Sequence, residues 1–289
     1  MSNDPSEETL DALVERRTAA FKRRAAAQPP EDGEVISLNV RGPIAIYFGG
    51  DPHLDNDGCD LPAMRADLAT VAETEGMFAV SLGDMTDNWV GRLADLYADN
   101  EGTVAEGWRL LEWYGKALGD KWLLWVLGNH DTWGRRGTIV ELLGRITGVQ
   151  RIRHSDARLK ISGPGWKAPV RLHVRHSFPG RSEWNVNHGP QKAAVRGAWK
   201  ADVLACGHTH QHGYALIERP DTSLVHVLQV GSYKRFDPYG RDLNLAEAKY
   251  GRAAVVIINP DAESEDAKVL YVQNVQHAAR LLRLLRAAR

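Results

Sequence analysis

One pattern restricts the fold of this chain more than any other. Four short apolar runs each lead into a glycine followed closely by Asp, Asn or His. Ile44 to Phe48 runs into Gly49-Gly50-Asp51-Pro52-His53, and Met77 to Leu82 into Gly83-Asp84-Met85-Thr86-Asp87-Asn88. Trp122 to Leu127 runs into Gly128-Asn129-His130-Asp131, and Val203 to Cys206 into Gly207-His208-Thr209-His210. Near-continuous apolar runs of this length read as strands buried on both faces. Val170 to Val174, Leu224 to Val230 and Ala253 to Ile258 read the same way. Helical patterns separate the first three. Asp60 to Glu75 carries Leu61, Met64, Leu68 and Val71, and Thr103 to Leu118 carries Val104, Trp108, Leu111 and Leu118. Strands alternating with helices give an α/β class with a sheet covered on both sides. In open α/β sheets ligands bind beyond the carboxyl ends of the strands, so four such turns can converge. Glycine lets each turn be sharp and approach an ion closely.

The residue types limit the chemistry. Two cysteines, Cys59 and Cys206, form no disulfide framework and no thiolate zinc spacing, so a metal must be held by His, Asp and Asn. There are eleven histidines. Imidazole nitrogen combined with carboxylate and amide oxygen suits Mn²⁺, Fe or Zn²⁺ better than Ca²⁺. The ligands outnumber what one ion with an open position would use, which points to two divalent ions roughly 3.5–4 Å apart. Such a pair makes a nucleophile at neutral pH and stabilises the oxygens of an in-line attack on phosphorus.

Taken in order, Asp51-Pro52-His53, Gly83 to Asp87, Gly128 to Asp131, a lone His176 and Gly207 to His210 resemble the signature of the calcineurin-like metallophosphoesterases. The resemblance spans residues 44 to 258. The flanks, and the Asn88 to Gly91 stretch, resemble stand-alone phage or prophage members. The resemblance implies a four-layer αββα sandwich of two mixed β-sheets. It implies one metal held by Asp51, His53, Asp84 and His210, and a second held by Asp84, Asn129, His176 and His208, with Asp84 bridging. His130 would stand outside the metal shell near the leaving-group oxygen, with Asp131 as its orienting partner and Asp87 behind the ligands. His173 and His188 compete with His176 for the lone-His position.

Several features have a second reading. Each motif alone could be a turn, a cap or an exposed loop. Asp55-Asn56-Asp57-Gly58 lacks the Glu of a calcium loop and reads as a solvated turn. Cys206, on an apolar strand, reads as core packing. Trp89, Trp108, Trp113, Trp122 and Trp125 could stack bases or fill the core, while Trp133, Tyr233, Lys234 and Arg235 stand where they could touch a substrate. His154, His212, His226 and His277 match no motif and read as surface or satisfied core residues.

Residues 1–30 read as a basic helical extension, with a helix from residue 7 to about 27 that Gln28-Pro29-Pro30 ends; 40–260 as the metallophosphoesterase domain; and 272–289 as a basic amphipathic helix. No segment reads as a membrane span or signal peptide, and the location expected is cytoplasmic. The net charge of −1 gives no overall pull toward nucleic acid. The implied activity is di-metal phosphoester hydrolysis, a bridging hydroxide attacking in line and His130 assisting departure. Mn²⁺ is the first choice of ion, before Fe, Zn²⁺ or Ni²⁺. Members acting on phosphoproteins carry a phosphate-clamping Arg where this chain has Asn88. The expectation is therefore a phosphodiesterase or nuclease acting on nucleic acid or a nucleotide, ahead of a small-molecule phosphomonoesterase, with a non-catalytic scaffold last.

Overall fold

The computed structural model describes residues 8–26, 30–133, 139–197, 199–236 and 250–288. Residues 1–7 of the N-terminal extension, the Gln28-Pro29 stop and Arg289 lie outside the described residues.

Two six-stranded mixed sheets pack face to face. In chain order the strands are β1 (Glu34–Ser37), β2 (Ile44–Gly49), β3 (Met77–Ser81), β4 (Trp122–Val126), β5 (Ile152–Arg153), β6 (Asp156–Ser162), β7 (Val170–Arg175), β8 (Val203–Cys206), β9 (Gly213–Glu218), β10 (Leu224–Gln229), β11 (Ala253–Ile258) and β12 (Val269–Val272). One sheet runs β12-β11-β2-β3-β4-β5, with β2 through β5 parallel. The other runs β1-β6-β7-β8-β10-β9, with β7, β8 and β10 parallel.

Period-2 alternation explains the layers. Along β2, Ile44, Ile46 and Phe48 point into the apolar layer between the sheets, where they meet Leu159, Leu172, Val203 and Leu228. Ala45 and Tyr47 point the other way, under α2 (Leu61–Glu73), α3 (Val104–Leu118) and α5 (Ile139–Thr147). β8 repeats this, with Val203 and Ala205 between the sheets and Leu204 and Cys206 under α6 (His188–Arg196). The result is the four-layer αββα sandwich. Trp122 and Trp125 fill the helix-side core against Tyr114, and Cys206 is buried, so these residues take their packing roles.

The helices start where the sequence signals them. Asp60 accepts a hydrogen bond from Ala63 N at the head of α2. Thr103 and Glu106 close a reciprocal cap on α3. The strand pattern missed β1, β5, β6, β9 and β12, which are short, at an edge or half polar. β1 and β12 extend the sandwich beyond the 40–260 span. The helix Val275–Ala287 packs Val275, Ala278, Ala279 and Leu282 into the same core. Two of its arginines are used on the protein itself, Arg283 on Thr74 and Arg286 on Glu75, Arg41 and Pro43. The N-terminal helix α1 (Leu10–Ala26) buries none of its residues. Among the described residues no helix is long and apolar enough to cross a membrane.

Ile46, fully buried between the sheets, is expected to lose about 2–5 kcal/mol of stability on replacement by Ala. Leu10→Ala on exposed α1 should stay within about 0.5 kcal/mol. Denaturant unfolding followed by tryptophan fluorescence measures both, and equal losses would contradict the layer assignment.

Candidate metal centre

Parallel pairing puts the carboxyl ends of β2, β3 and β4 side by side, and those of β7 and β8 beside each other in the facing sheet. The turns beyond them meet at one edge of the sandwich. Their backbone is unusual. Asp51, His53, Asp84, His208 and His210 take left-handed φ of 30°, 43°, 52°, 77° and 56°, a region that costs L-residues of order 1–3 kcal/mol each. All five are among the sequence-predicted ligands, and such strain persists only where surroundings impose it. Glycine permits the close approach. A Cβ on Gly128 would fall 2.0 Å from Asp84 Oδ1, and one on Gly207 would fall 2.9 Å from both Asp51 oxygens.

Around His176, Nε2 lies 3.1 Å from Asn129 Oδ1, 3.1 Å from His208 Nδ1 and 3.2 Å from Asp84 Oδ2. His176 Nδ1 is fixed on the Leu82 carbonyl at 2.7 Å and stands 3.6 Å from Asp51 Oδ1. On the neighbouring side, His53 Nε2 and His210 Nε2 are 3.1 Å apart. The His53 and His130 rings meet edge to face at 5.0 Å, and His130 Nε2 stands 4.0 Å from Asp84 Oδ2. The seven predicted ligands thus come together, and His130 stands beside them. His173 is instead paired with Asp156 at 2.9 Å, and His188 is exposed at the start of α6.

The donor set fits divalent metal. With metal–nitrogen bonds of about 2.0–2.1 Å, neighbouring donors of one ion stand roughly 3.0–3.4 Å apart, which matches the spacings around His176 and between His53 and His210. Asp51 Oδ1 is buried with no hydrogen-bond partner among the described residues. Ligand atoms of Asp84, His176 and His208 lie within 4.8 Å of one another, as do those of His53, Asp87 and His130. Asp87 is thus as close as a ligand, although its contacts show it supporting His53.

Crowding dominates the electrostatics. Burial, reinforced by Asp84, pushes the Asp51 carboxyl up to about 7, although His176 pulls it down. Burial opposes charge on Asp84 as well, yet His176 and then His130 and His53 hold it below the ordinary carboxylate range. Burial also opposes the His176 imidazolium, but Asp84 and Asp51 push it up to about 10. His130 goes the other way, down to about 4, through burial and its neighbour His53.

A supporting frame holds these groups. Asp87 takes His53 Nδ1 at 2.7 Å, which leaves Nε2 to face an ion. Asp87 is held in turn by Asn56 at 2.7 Å and by the buried Lys234 at 3.2 Å, while its own N–H donates to Asp55 at 2.6 Å. Asp55-Asn56 is therefore part of the frame, and only Asp57 of that turn keeps the solvated character expected. Asn56 and Lys234 join through tertiary contact alone, and no local motif announces them.

Two expectations need correction. Asp131 does not orient the His130 ring. Its carboxylate accepts from the backbone N–H of Asp84 (2.8 Å), Met85 (3.0 Å) and Gly128 (2.8 Å). Adjacent residues on the short helix α4 (Asn129–Thr132) do not face each other, and His130 Nδ1 is held by the Asp87 carbonyl instead. Tyr233 is not a substrate contact either. It is fully buried, bonded to Tyr47 and Asp67 at 2.8 Å each, and Arg235 pairs with Asp60. Trp133 and Lys234 do line the larger of two clefts at the site.

That cleft, about 690 Å³, is also lined by Trp89, Phe178 and Arg181. A second, of about 650 Å³, lies over Thr132, His154, Ser155 and His176. Both share Asn129, Ser177 and His208. His154 thus stands beside the site, whereas His212 and His226 are bonded to Tyr271 and Tyr214.

No protein-family model matches the chain, and no curated protein matches it in sequence. Solved structures similar to it include a 5'-nucleotidase precursor from Thermus thermophilus, 11% identical with a TM-score of 0.43, covering 85% of this chain and 58% of that one. This chain therefore spans under two thirds of that nucleotidase. The calcineurin-like phosphoesterase YfkN from Bacillus subtilis is 12% identical over 86% of this chain and all of its own, with a TM-score of 0.40. A metallophosphoesterase from Sphaerobacter thermophilus is 14% identical over 85% and 94%, with a TM-score of 0.37. Likeness at this level carries no chemistry with it, and the chemistry is read from the residues.

Asp87→Ala should weaken divalent-metal affinity about 10–100-fold, because it releases the His53 ring from its tautomer-fixing partner. Chelator competition on the stripped and reloaded protein measures this, and an unchanged affinity would remove Asp87 from the supporting frame.

Proposed function

We propose that this chain is a metal-dependent phosphoester hydrolase that prefers phosphodiesters to monoesters. The observation that carries the reading is the meeting of Asp51, His53, Asp84, Asn129, His176, His208 and His210 at one buried edge, with the His130 ring beside them. These residues would hold two divalent ions, Mn²⁺ first among the candidates, which would supply Lewis-acid charge for the phosphoryl oxygens and a nucleophile at neutral pH.

The protein's own contribution is positional. Asp84, between the two donor groups, is the residue suited to bridge. His130 has its Nδ1 engaged by the Asp87 carbonyl, so Nε2 is the atom turned toward the reacting centre. A bound phosphate anion would draw the His130 imidazole back toward its protonated form, and Nε2 then gives a proton, or lends positive character, to the departing oxygen.

The diester preference follows from the two clefts that flank the centre and share Asn129, Ser177 and His208. A diester needs room for a substituent on each side of phosphorus, whereas a monoester needs one. The larger cleft combines Trp133 and Phe178 with Arg181, a lining suited to an aromatic base and its phosphates. A nucleotide or nucleic acid is therefore the substrate class favoured. Asn88 spends its amide on backbone carbonyls rather than on phosphate, which weighs against phosphoprotein monoesters.

Metal-stripped protein should turn over bis-p-nitrophenyl phosphate when Mn²⁺ is returned, faster than p-nitrophenyl phosphate, and His130→Ala should lower kcat about 10²–10⁴-fold on a dinucleoside phosphate, whose leaving oxygen needs the proton. Activity confined to monoesters would reverse the ranking in favour of a phosphomonoesterase. Metal binding without turnover of any ester would make the fold a scaffold.

A further inference from the structure

Asn88 is a conspicuous residue that the hydrolytic reading leaves unused. It has a left-handed φ of 42°, a region that Asn tolerates better than most residues. Its amide nitrogen donates to two backbone carbonyls, His130 O at 2.6 Å and Trp133 O at 3.1 Å. Both partners can only accept, so the amide must present its nitrogen here. The two carbonyls lie in and just after α4, a helix of four residues with Trp133 at its C-terminal end. A single turn is unstable alone, and here it is closed by one cap bond, from Trp133 N–H to His130 O at 3.3 Å. Asn88 adds a second bond to His130 O and one to Trp133 O, and so holds the turn from across the site.

The same bonds close an aromatic clamp. Trp89, next to Asn88 in sequence, meets the His130 ring edge-on at 5.0 Å. Trp133 lies against that ring at 4.1 Å with its plane tilted by 36°. The residue before Asn88 fixes His130 Nδ1 through the Asp87 carbonyl. Three consecutive residues, Asp87, Asn88 and Trp89, therefore hold the imidazole through a ring nitrogen, the backbone and a ring edge. We propose that Asn88 is the positioning residue for His130: it pins α4 so that the imidazole is aimed at the leaving-group oxygen. This rests on the hydrolytic reading for its kinetic consequence, though not for its geometry.

The test compares Asn88→Asp, which keeps the shape and removes both donors, with Asn88→Gly, which removes the side chain without backbone strain. An activated diester, bis-p-nitrophenyl phosphate, loses its leaving group with little help, whereas a dinucleoside phosphate needs it. Both variants should keep the wild-type metal content and KM. Each should lose up to about 100-fold in kcat on the dinucleoside phosphate, as expected of a misaimed group, and far less on the activated ester. Combined with His130→Ala, neither should add a further loss on the dinucleoside phosphate, because the two act as one unit. A loss equal on both esters, or additive with His130→Ala, would overturn the proposal. The imidazole ¹⁵N signals of His130 in the Zn²⁺-loaded protein give an arm independent of turnover. They should be one sharp set in the wild type and broadened or multiple in the variants, and unchanged ring signals would overturn the proposal. Wild-type protein inactive on every ester would sink the hydrolytic reading alone, leaving the ring signals to decide on Asn88.

Discussion

The site depends on the grip of one buried carboxylate on backbone. Asp131 accepts hydrogen bonds from the amides of Asp84, Met85 and Gly128 and so joins the turn after β3 to the turn after β4. Those turns carry Asp84, Asn129 and His130. The bond from His130 N to Asp84 Oδ1 at 2.9 Å crosses the same junction in the other direction. A carboxylate bonded to several amides is a stiff, charge-assisted link. With the parallel register of β3 and β4 behind it, the link leaves these turns little freedom to separate. The left-handed conformation at Asp84 persists because both sides of the turn are held.

The second sheet completes the centre by a similar device. Asp51 accepts from His208 N at 2.5 Å, and its own carbonyl accepts from Ser232 Oγ at 2.5 Å. The turn after β2 is thereby tied to the turn after β8 and to the segment following β10. The apolar layer between the sheets sets how far apart these turns can lie, since Phe48 and Val80 on one sheet and Val174 and Ala205 on the other end close to the ligand turns. Packing fixes the spacing of the sheets, and polar links fix the ligand turns upon it.

How much of this the sequence revealed follows from how local each signal is. β2, β3, β4, β8 and β11 are buried on both faces, so their apolar runs are continuous and legible. β6 alternates half-buried and buried residues, and β9 is half exposed at an edge, so neither forms such a run. Ligands sit one to four residues beyond a strand and appear as motifs. The frame does not. Lys234 reaches Asp87 across 147 positions, and no local spacing encodes that meeting. Asp131 shows the opposite case. Its neighbour in sequence suggested a partnership that the geometry of a helical turn forbids.

The charge pattern gives the metal a further role. Asp51, Asp55, Asp84, Asp87 and Asp131 are all buried near one another, with Lys234 as the buried lysine beside them. The near-neutral total for the chain averages this cluster away against arginines elsewhere. Asp51 resists ionisation through burial, reinforced by Asp84, and Asp131 is pushed up to about 6 by burial and then by Asp84. Carboxylates arranged so that each disfavours its neighbour's charge are costly to bury without cations. An ion between them converts that repulsion into attraction, so part of its binding free energy stabilises the fold. The strained turns and crowded carboxylates are two sides of one arrangement. The sandwich holds the ligands where they are least comfortable alone, and a divalent cation among them would relieve that repulsion.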